Sequence, residues 1–168
     1  KKFNLPVVPA NMEDVISFEN AKWLAENGYF YIMHRFKEVT PKFVDYAIYH
    51  KLPIISISVG VDDYSRVLID MITHKRMMEK IDFITIDVAH AHHENVKSMV
   101  NHIRRQRDSE HPKIIAGNVA TLEGYKYLYD IGVDAVKIGI GQGCFVPDTL
   151  VYTDVGLRKI QDISIGDK

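Results

Sequence analysis

The stretch Val136-Lys-Ile-Gly-Ile-Gly-Gln-Gly143-Cys144-Phe-Val-Pro-Asp148 divides the chain into two kinds of sequence. Before Gly143, short apolar runs rich in Val and Ile alternate with segments of helical period. After Cys144 that rhythm stops, and short alternating β segments punctuated by Asp and Gly take over. The joint falls at the Gly143–Cys144 bond, and Cys144 is the one cysteine in the chain.

The N-terminal side reads as follows. Leu5–Pro9, Tyr29–Met33, Ile54–Val59, Asp82–Asp87, Lys113–Asn118 and Ala135–Ile140 are predicted strands. Between them, Ser17 is an N-cap for a helix with Ala21, Leu24 and Ala25 inward, closed by Asn27-Gly28. Thr40-Pro41 starts a second helix carrying Phe43, Val44, Ala47 and Ile48. A third spans Asp62 to Lys80 with Val67, Leu68, Met71 and Ile72 on one face. The fourth runs from Glu94 with Val96, Met99, Val100 and Ile103 inward and Arg104, Arg105 and Arg107 near its end. Thr121 caps a fifth, which ends at Gly132. Strand starts recurring every 22 to 31 residues, with helices between, imply parallel strands joined by right-handed crossovers. The fold class is α/β. An incomplete (β/α)8 barrel of about six strands is its natural home, and a doubly wound sheet is the alternative.

Composition limits the function classes. With 168 residues, 46% of them hydrophobic and 26% charged, the chain is expected to fold as a soluble globular protein. A formal net charge of −1 gives no electrostatic case for nucleic acid or a membrane surface. No apolar run nears the roughly 18 residues of a membrane span. A single cysteine suits a reducing cytoplasm. The chain opens without Met and closes in a Gly-Asp-Lys turn, so both ends are expected to be cuts in something longer.

In either architecture the site lies beyond the C-terminal ends of the strands. The polar residues there are Asn11, His34-Arg35, Ser58, Asp87 with His90, Asn118, and Gly139, Gly141 and Gly143. Asp87, delivered by Phe-Ile-Thr-Ile, would accept hydrogen bonds from a ribose or a nicotinamide, or cap the next turn. His90, His92 and His93 lack the companion ligands of a zinc site and read as a polar rim. Gly139-Ile-Gly-Gln-Gly143 permits close backbone approach to a ligand or cation. It is not the Gly-x-Gly-x-x-Gly that opens a dinucleotide-binding helix.

Six stretches stand in order: Leu5-Pro-Val-Val-Pro-Ala-Asn-Met12, Leu24-Ala-Glu-Asn-Gly-Tyr-Phe-Tyr-Ile-Met-His-Arg-Phe36, Ile57-Ser-Val-Gly-Val61, Ile84-Thr-Ile-Asp-Val-Ala-His90, Ile114-Ile-Ala-Gly-Asn-Val119 and Val136-Lys-Ile-Gly-Ile-Gly141. Together they resemble the IMP dehydrogenase/GMP reductase family, and within it the bacterial GMP reductases, over residues 1–143. The resemblance implies a (β/α)8 barrel, tetrameric when complete, that converts GMP to IMP and ammonia with NADPH. About twenty residues separate the second and third strands, where the dehydrogenases usually insert a regulatory domain; an IMP dehydrogenase lacking that domain is the alternative. By the same resemblance, Asp87, Val88 and Ala89 touch the nicotinamide cofactor and Ile140 and Gly141 flank it. The carbonyls of Gly141 and Gly143 would bind a monovalent cation such as potassium. The family's cysteine nucleophile belongs three residues after the last glycine of that run, where this chain has Val146. Cys144 arrives two residues early.

The segment Cys144-Phe-Val-Pro-Asp-Thr-Leu-Val-Tyr-Thr-Asp-Val-Gly156, followed by Ile160-Gln-Asp-Ile163 and Gly166-Asp167, resembles the opening block of an intein, a Hint-type domain. Its own pattern agrees: Thr149 to Thr153 alternates, Asp154-Val-Gly156 is a turn, and a second strand starts at Leu157. The resemblance implies two parts, residues 1–143 of a barrel and residues 144–168 of an intein, with Cys144 as the splicing nucleophile acting on the Gly143 carbonyl. The partner would be a C-terminal intein fragment or the downstream remainder of the chain. A third possibility is a fragment whose own chemistry is limited to autoprocessing at Cys144.

Overall fold

The computed structural model of the chain describes residues 2–106, 112–139, 150–153, 156–159 and 162. It divides into two compact units, Lys1–Ile138 and Gly139–Lys168. The first is an α/β unit whose elements run in the order helices α1 (Phe18–Glu26) and α2 (Val39–Tyr49), strand β1 (Ser56–Val59), helix α3 (Asp63–His74), strand β2 (Phe83–Asp87), helix α4 (Glu94–Arg105), strand β3 (Lys113–Val119), helix α5 (Leu122–Asp130) and strand β4 (Ala135–Ile138). The strands form one parallel sheet in the order β1-β2-β3-β4. Chain order equals spatial order, with a helix in each connection.

The register separates the faces of the sheet. Ser58, Thr85 and Ile115 lie side by side, as do Asp87, Gly117 and Lys137 one step on. Ile57, Val59, Ile84, Ile86, Ile114 and Ala116 have the opposite parity. These six join Leu68, Ile69 and Ile72 of α3, Val96, Met99, Val100 and Ile103 of α4 and Leu128 of α5 in one buried core. Each fully buried Ile contributes about 1.5–3 kcal/mol by leaving water.

Two aspartates fasten the sheet at its lower end by the same device. Asp82 donates its backbone N–H to the Ile55 carbonyl (2.9 Å) and accepts the Ile55 N–H on its carboxylate (2.9 Å). Asp134 does the same with Ile114, at 2.8 Å in both directions. In each case one residue satisfies both backbone groups of its neighbour.

Two helix starts follow caps read from the sequence. Ser17 Oγ accepts the Asn20 N–H at 3.1 Å, and Thr121 Oγ1 accepts that of Gly124 at 3.1 Å. Asp62 accepts the Ser65 N–H at 2.7 Å, which holds its carboxyl below the usual range. Helix α5 closes into Gly132 at φ +78°, a left-handed turn that suits glycine. The Arg104 guanidinium at the end of α4 donates to the Ile131 and Gly132 carbonyls there, locking the two helices together.

Several expectations need correction. Residues 5–9 are not a strand: Leu5, Val7 and Val8 are exposed, and Pro6 and Pro9 bring no N–H to a ladder. Residues 29–33 run beside β1 without a regular ladder, tied by the Met33 N–H to the Ser56 carbonyl (3.2 Å). The parallel sheet therefore has four strands among the described residues, where about six were expected. Thr40 does not cap α2. Its hydroxyl donates to the Ser58 carbonyl at 3.0 Å, and the helix starts one residue earlier, after a short 3-10 turn over Phe36–Glu38. The helix expected over Asp62 to Lys80 stops at His74, where the backbone turns through Arg76 at φ +55°. Val67 points outward there, and Ile69 takes the core position.

The second unit contains an antiparallel hairpin, strands β5 (Leu150–Thr153) and β6 (Gly156–Lys159). Gly156 at φ +107° ends the reversal where the Asp-Val-Gly turn was expected. Ile140, Gly141, Gly143, Cys144 and Val146, and Arg107 near the end of the fourth helix, lie outside the described residues. No helix among the described residues is long and apolar enough to cross a membrane.

Candidate functional site

Parallel strands of this kind deliver their last residues to one end of the sheet, and the charges gather there. Lys137, third residue of β4, reaches 2.9 Å from Asp87 Oδ1 and 2.9 Å from Asn11 Oδ1. Arg35 donates from Nε to the Asp87 carbonyl at 3.1 Å and lies 4.0 Å from Asp87 Oδ2. The Arg35 guanidinium also stacks over Phe36, 5.4 Å from the ring centre. Asp87 is thus held between two cations, its side chain 18% exposed. Charge-assisted contacts of this length are about twice as strong as neutral ones.

Close backbone approach makes this possible. Gly117 pairs with both Asp87 and Lys137, and a Cβ there would lie 2.7 Å from the Lys137 carbonyl oxygen and collide with the Lys137 Cβ. Past Asp87 the chain remains fastened to β3. Val88 donates to the Gly117 carbonyl (2.9 Å) and accepts from the Asn118 N–H (2.8 Å), and Ala91 donates to the Asn118 carbonyl (2.9 Å). The loop therefore presents Ala89 outward from a fixed base.

Of the residues singled out from sequence, Asn11, Arg35 and Asp87 come together, and Asn118 is stitched to the loop beside them. Ser58 serves the scaffold: its hydroxyl donates to the Met33 carbonyl. His34 is 4% exposed and stacks on Phe36 at 6.1 Å. His93 caps α4, its Nδ1 accepting the Asn95 N–H at 3.1 Å, while His92 packs on Tyr127 at 4.7 Å. No group of three or more His, Cys, Asp or Glu gathers as a metal ion would need, among the described residues. Lys137 was missed. Its signal was a cation inside the otherwise apolar strand Ala-Val-Lys-Ile, at the parity of Gly117 and Asp87 on the neighbouring strands.

Beside the cluster, Arg35, Thr40, Ser58, Asp62, Tyr64 and Ser65 help line a cavity of about 30 Å³, room for one water.

Comparison with known proteins gives the family. Residues 1–165 match the family described as the IMP dehydrogenase / GMP reductase domain. A GMP reductase from Pediococcus pentosaceus is 48% identical over 143 residues, covering 84% of this chain and 42% of the relative. One from Staphylococcus aureus is 44% identical over 144 residues, covering 85% and 43%. The crystal structure of inosine 5' monophosphate dehydrogenase from Legionella pneumophila superposes with a TM-score of 0.69 at 31% identity, over 84% of this chain and 41% of that one. The chain thus spans less than half the length of the relatives it matches. On sequence and fold alike, it belongs to the IMP dehydrogenase/GMP reductase family.

Proposed function

We propose that the Asn11–Lys137–Asp87–Arg35 cluster is the cofactor-facing wall of a GMP reductase, which in complete form converts GMP to IMP and ammonia with NADPH. The observation that carries this reading is the Asp87 carboxylate, fixed between two cations at the mouth of β2. Lys137 engages Oδ1, while Oδ2 stands 4.0 Å from Arg35, too far for a hydrogen bond. That oxygen keeps acceptor capacity for a ribose hydroxyl or a carboxamide N–H, so the residues present fit a nicotinamide nucleotide. Asp87, Val88 and Ala89 would hold it, with Ile140 and Gly141 alongside. When bound, it supplies the hydride. Lys137 and Arg35 keep the Asp87 carboxylate in place, and the Val88 pairing with β3 fixes the approach. The carbonyls of Gly141 and Gly143 are assigned to potassium by family resemblance, and the complete enzyme is a homotetramer on the same ground. The GMP reductase names of relatives at 48% and 44% identity favour the reductase over the dehydrogenase.

Cys144, in the same proposal, opens an intein. Its thiol attacks the Gly143 carbonyl, the peptide C–N bond gives way to a thioester, and the Cys144 amine is released with the thiol proton. The reductase cysteine then arrives with the downstream sequence. What supports the joint is the run of sequence itself, a Cys144 opening directly after Gly139-Ile-Gly-Gln-Gly143 and followed by the β5–β6 hairpin. The family match extending to residue 165 favours a second reading, in which the β5–β6 hairpin is a loop of the barrel itself.

The test has two parts. The chain alone should not consume NADPH with GMP, because position 146 is Val. A chain joined at Gly143 to the C-terminal part of the Pediococcus relative should do so, and Asp87→Ala in it should raise the KM for NADPH about tenfold with a smaller effect on kcat. An unchanged KM removes Asp87 from the cofactor wall. For the joint, a matching C-terminal intein fragment should yield ligation at Gly143 that Cys144→Ala abolishes. Ligation by the Cys144→Ala chain would discard the intein reading.

A further inference from the structure

The Arg35 guanidinium stands between two carboxylates. Its Nε donates to the Asp87 backbone carbonyl at 3.1 Å and lies 4.0 Å from Asp87 Oδ2. An arginine and a carboxylate this close frequently form a fork of two parallel hydrogen bonds, yet here the fork is open. The other end of the guanidinium reaches toward Asp62, at the start of α3. The point that a Cβ of Gly60 would occupy lies 3.4 Å from Arg35 Nη1, 3.0 Å from Asp62 Oδ2 and 3.2 Å from Ser65 Oγ. Gly60 is buried and its φ is not left-handed, so what its missing side chain supplies is space. Arg35, Asp62 and Ser65 also line the cavity of about 30 Å³, which has room for one water.

Asp62 is already fixed on one side. Its Oδ1 accepts the Ser65 N–H at 2.7 Å, and Ser65 Oγ in turn accepts the Gly60 N–H at 2.9 Å. These bonds hold the carboxylate with Oδ2 beside the space that Arg35 shares. The Ser65 N–H is the largest cause of the lowered Asp62 carboxyl, burial opposes it, and the Arg35 charge adds to the lowering. The two charges therefore act on each other across a gap that one water spans, and such a bridge is nearly as good as a direct hydrogen bond. Phe36 stacks on the guanidinium at 5.4 Å and resists its tilting. A flat ring does not stop a guanidinium from turning in its own plane toward Asp87.

We propose that Asp62 is a positioning residue: through a water in this cavity it holds the Arg35 guanidinium off Asp87 Oδ2, and so keeps that oxygen open as an acceptor. Without the Asp62 charge, the guanidinium turns in and closes the fork on Asp87. The consequence for a bound nucleotide rests on the cofactor-wall reading of Asp87. The hold on Arg35 does not.

Two substitutions separate the charge of Asp62 from its capping of α3. Asp62→Asn keeps a good cap and removes the charge, whereas Asp62→Glu keeps the charge and lacks the short reach of a cap. In the full chain, urea melts of Arg35→Gln, Asp87→Asn and their combination give the coupling between these two side chains. Adding Asp62→Asn to all four chains should raise that coupling about fivefold in the folding equilibrium constant. Asp62→Glu should leave it as it is. In the chain joined at Gly143 to the C-terminal part of the Pediococcus relative, Asp62→Asn should raise the KM for NADPH about tenfold while kcat changes less than about twofold. Asp62→Glu should bring the KM back. A coupling that Asp62→Asn leaves unchanged overturns the proposal, because Phe36 alone then suffices to hold Arg35. Equal effects of Asn and Glu overturn it as well, since the charge would then be irrelevant. A raised coupling with an unmoved KM keeps the hold on Arg35 and removes only Asp87 from the cofactor wall.

Discussion

The Lys137 ammonium lies 2.9 Å from Asp87 Oδ1 and places the same nitrogen 2.9 Å from Asn11 Oδ1. One cation in β4 thereby connects the end of β2 to a segment 126 residues earlier in the chain. Asn11 sits in a stretch without regular secondary structure, so Lys137 is what orients it toward the cluster. The lysine and aspartate side chains are 25% and 18% exposed, so water screens the pair only in part.

Lys137→Met should therefore cost about 1–3 kcal/mol, because it strands a half-buried carboxylate beside Arg35 alone. Asp87→Asn should cost less, since an amide oxygen still accepts from Lys137. The double substitution should recover about 1 kcal/mol relative to the sum of the single ones. Urea denaturation of the four chains measures this, and strict additivity would show that the pair is not coupled.

The helices were legible in the sequence because capping is local. Ser17, Asp62 and Thr121 each sit beside the N–H they satisfy, and Val96, Met99, Val100 and Ile103 keep one face through α4. Strands β2 and β3 were legible as β-branched runs ending in Asp87 and Gly117-Asn118. The strand expected at residues 5–9 was not formed, since its composition says apolar while pairing depends on neighbours that no local pattern reports. Lys137 was hidden for a related reason: its partners Asp87 and Asn11 become neighbours only through register. The reciprocal bonds of Asp82 and Asp134 were invisible likewise: Asp82 reads only as the first residue of a predicted strand, and nothing local to Asp134 reports its partner Ile114.

Those two aspartates give the second prediction. Asp82→Ala and Asp134→Ala each leave a partly or fully buried backbone N–H, that of Ile55 or of Ile114, without its acceptor, and each should destabilise the fold by about 1–3 kcal/mol. Asp→Asn at either site keeps one acceptor oxygen and should restore more than half of the loss. A fall in the urea midpoint with an unchanged slope is the expected signature. A neutral Asp134→Ala would show that water replaces the carboxylate at this outer strand.

Gly117 supplies the third. An added methyl meets the backbone oxygen of Lys137 at 2.7 Å, and a backbone atom in a central pairing cannot swing aside as a side chain can. Gly117→Ala should cost about 1–3 kcal/mol through overpacking. It should also push β4 outward and lengthen the Lys137–Asp87 contact, so that adding Lys137→Met to it costs less than Lys137→Met alone. Full additivity of the two would mean that the strand accommodates the methyl without moving the lysine.

The last prediction concerns His34. The residue is 4% exposed, its ring Nδ1 has no hydrogen-bond partner among the described residues, and it stacks against Phe36. Burial lowers its pKa, and of the charges nearby Glu13 opposes the shift while Lys37 adds to it. The native state thus holds a neutral imidazole at a pH where the unfolded chain, with a pKa of about 6.5, has begun to take up a proton. Because the unfolded state binds more protons there, stability rises with pH through this window. The contribution is complete above the unfolded value and is lost as pH falls from about 6.5 toward the folded one, at no more than about 1.4 kcal/mol per pH unit. His34→Phe keeps the stack and removes the titration. Between about pH 7.5 and about pH 5.5 the unsubstituted chain should lose up to about 1 kcal/mol more than the variant, with other titrating groups cancelling in the difference. Urea melts of both chains at the two pH values read this directly. Parallel losses would mean that His34 gains a proton in the native state as easily as in the unfolded one, and that Glu13 outweighs burial at this site.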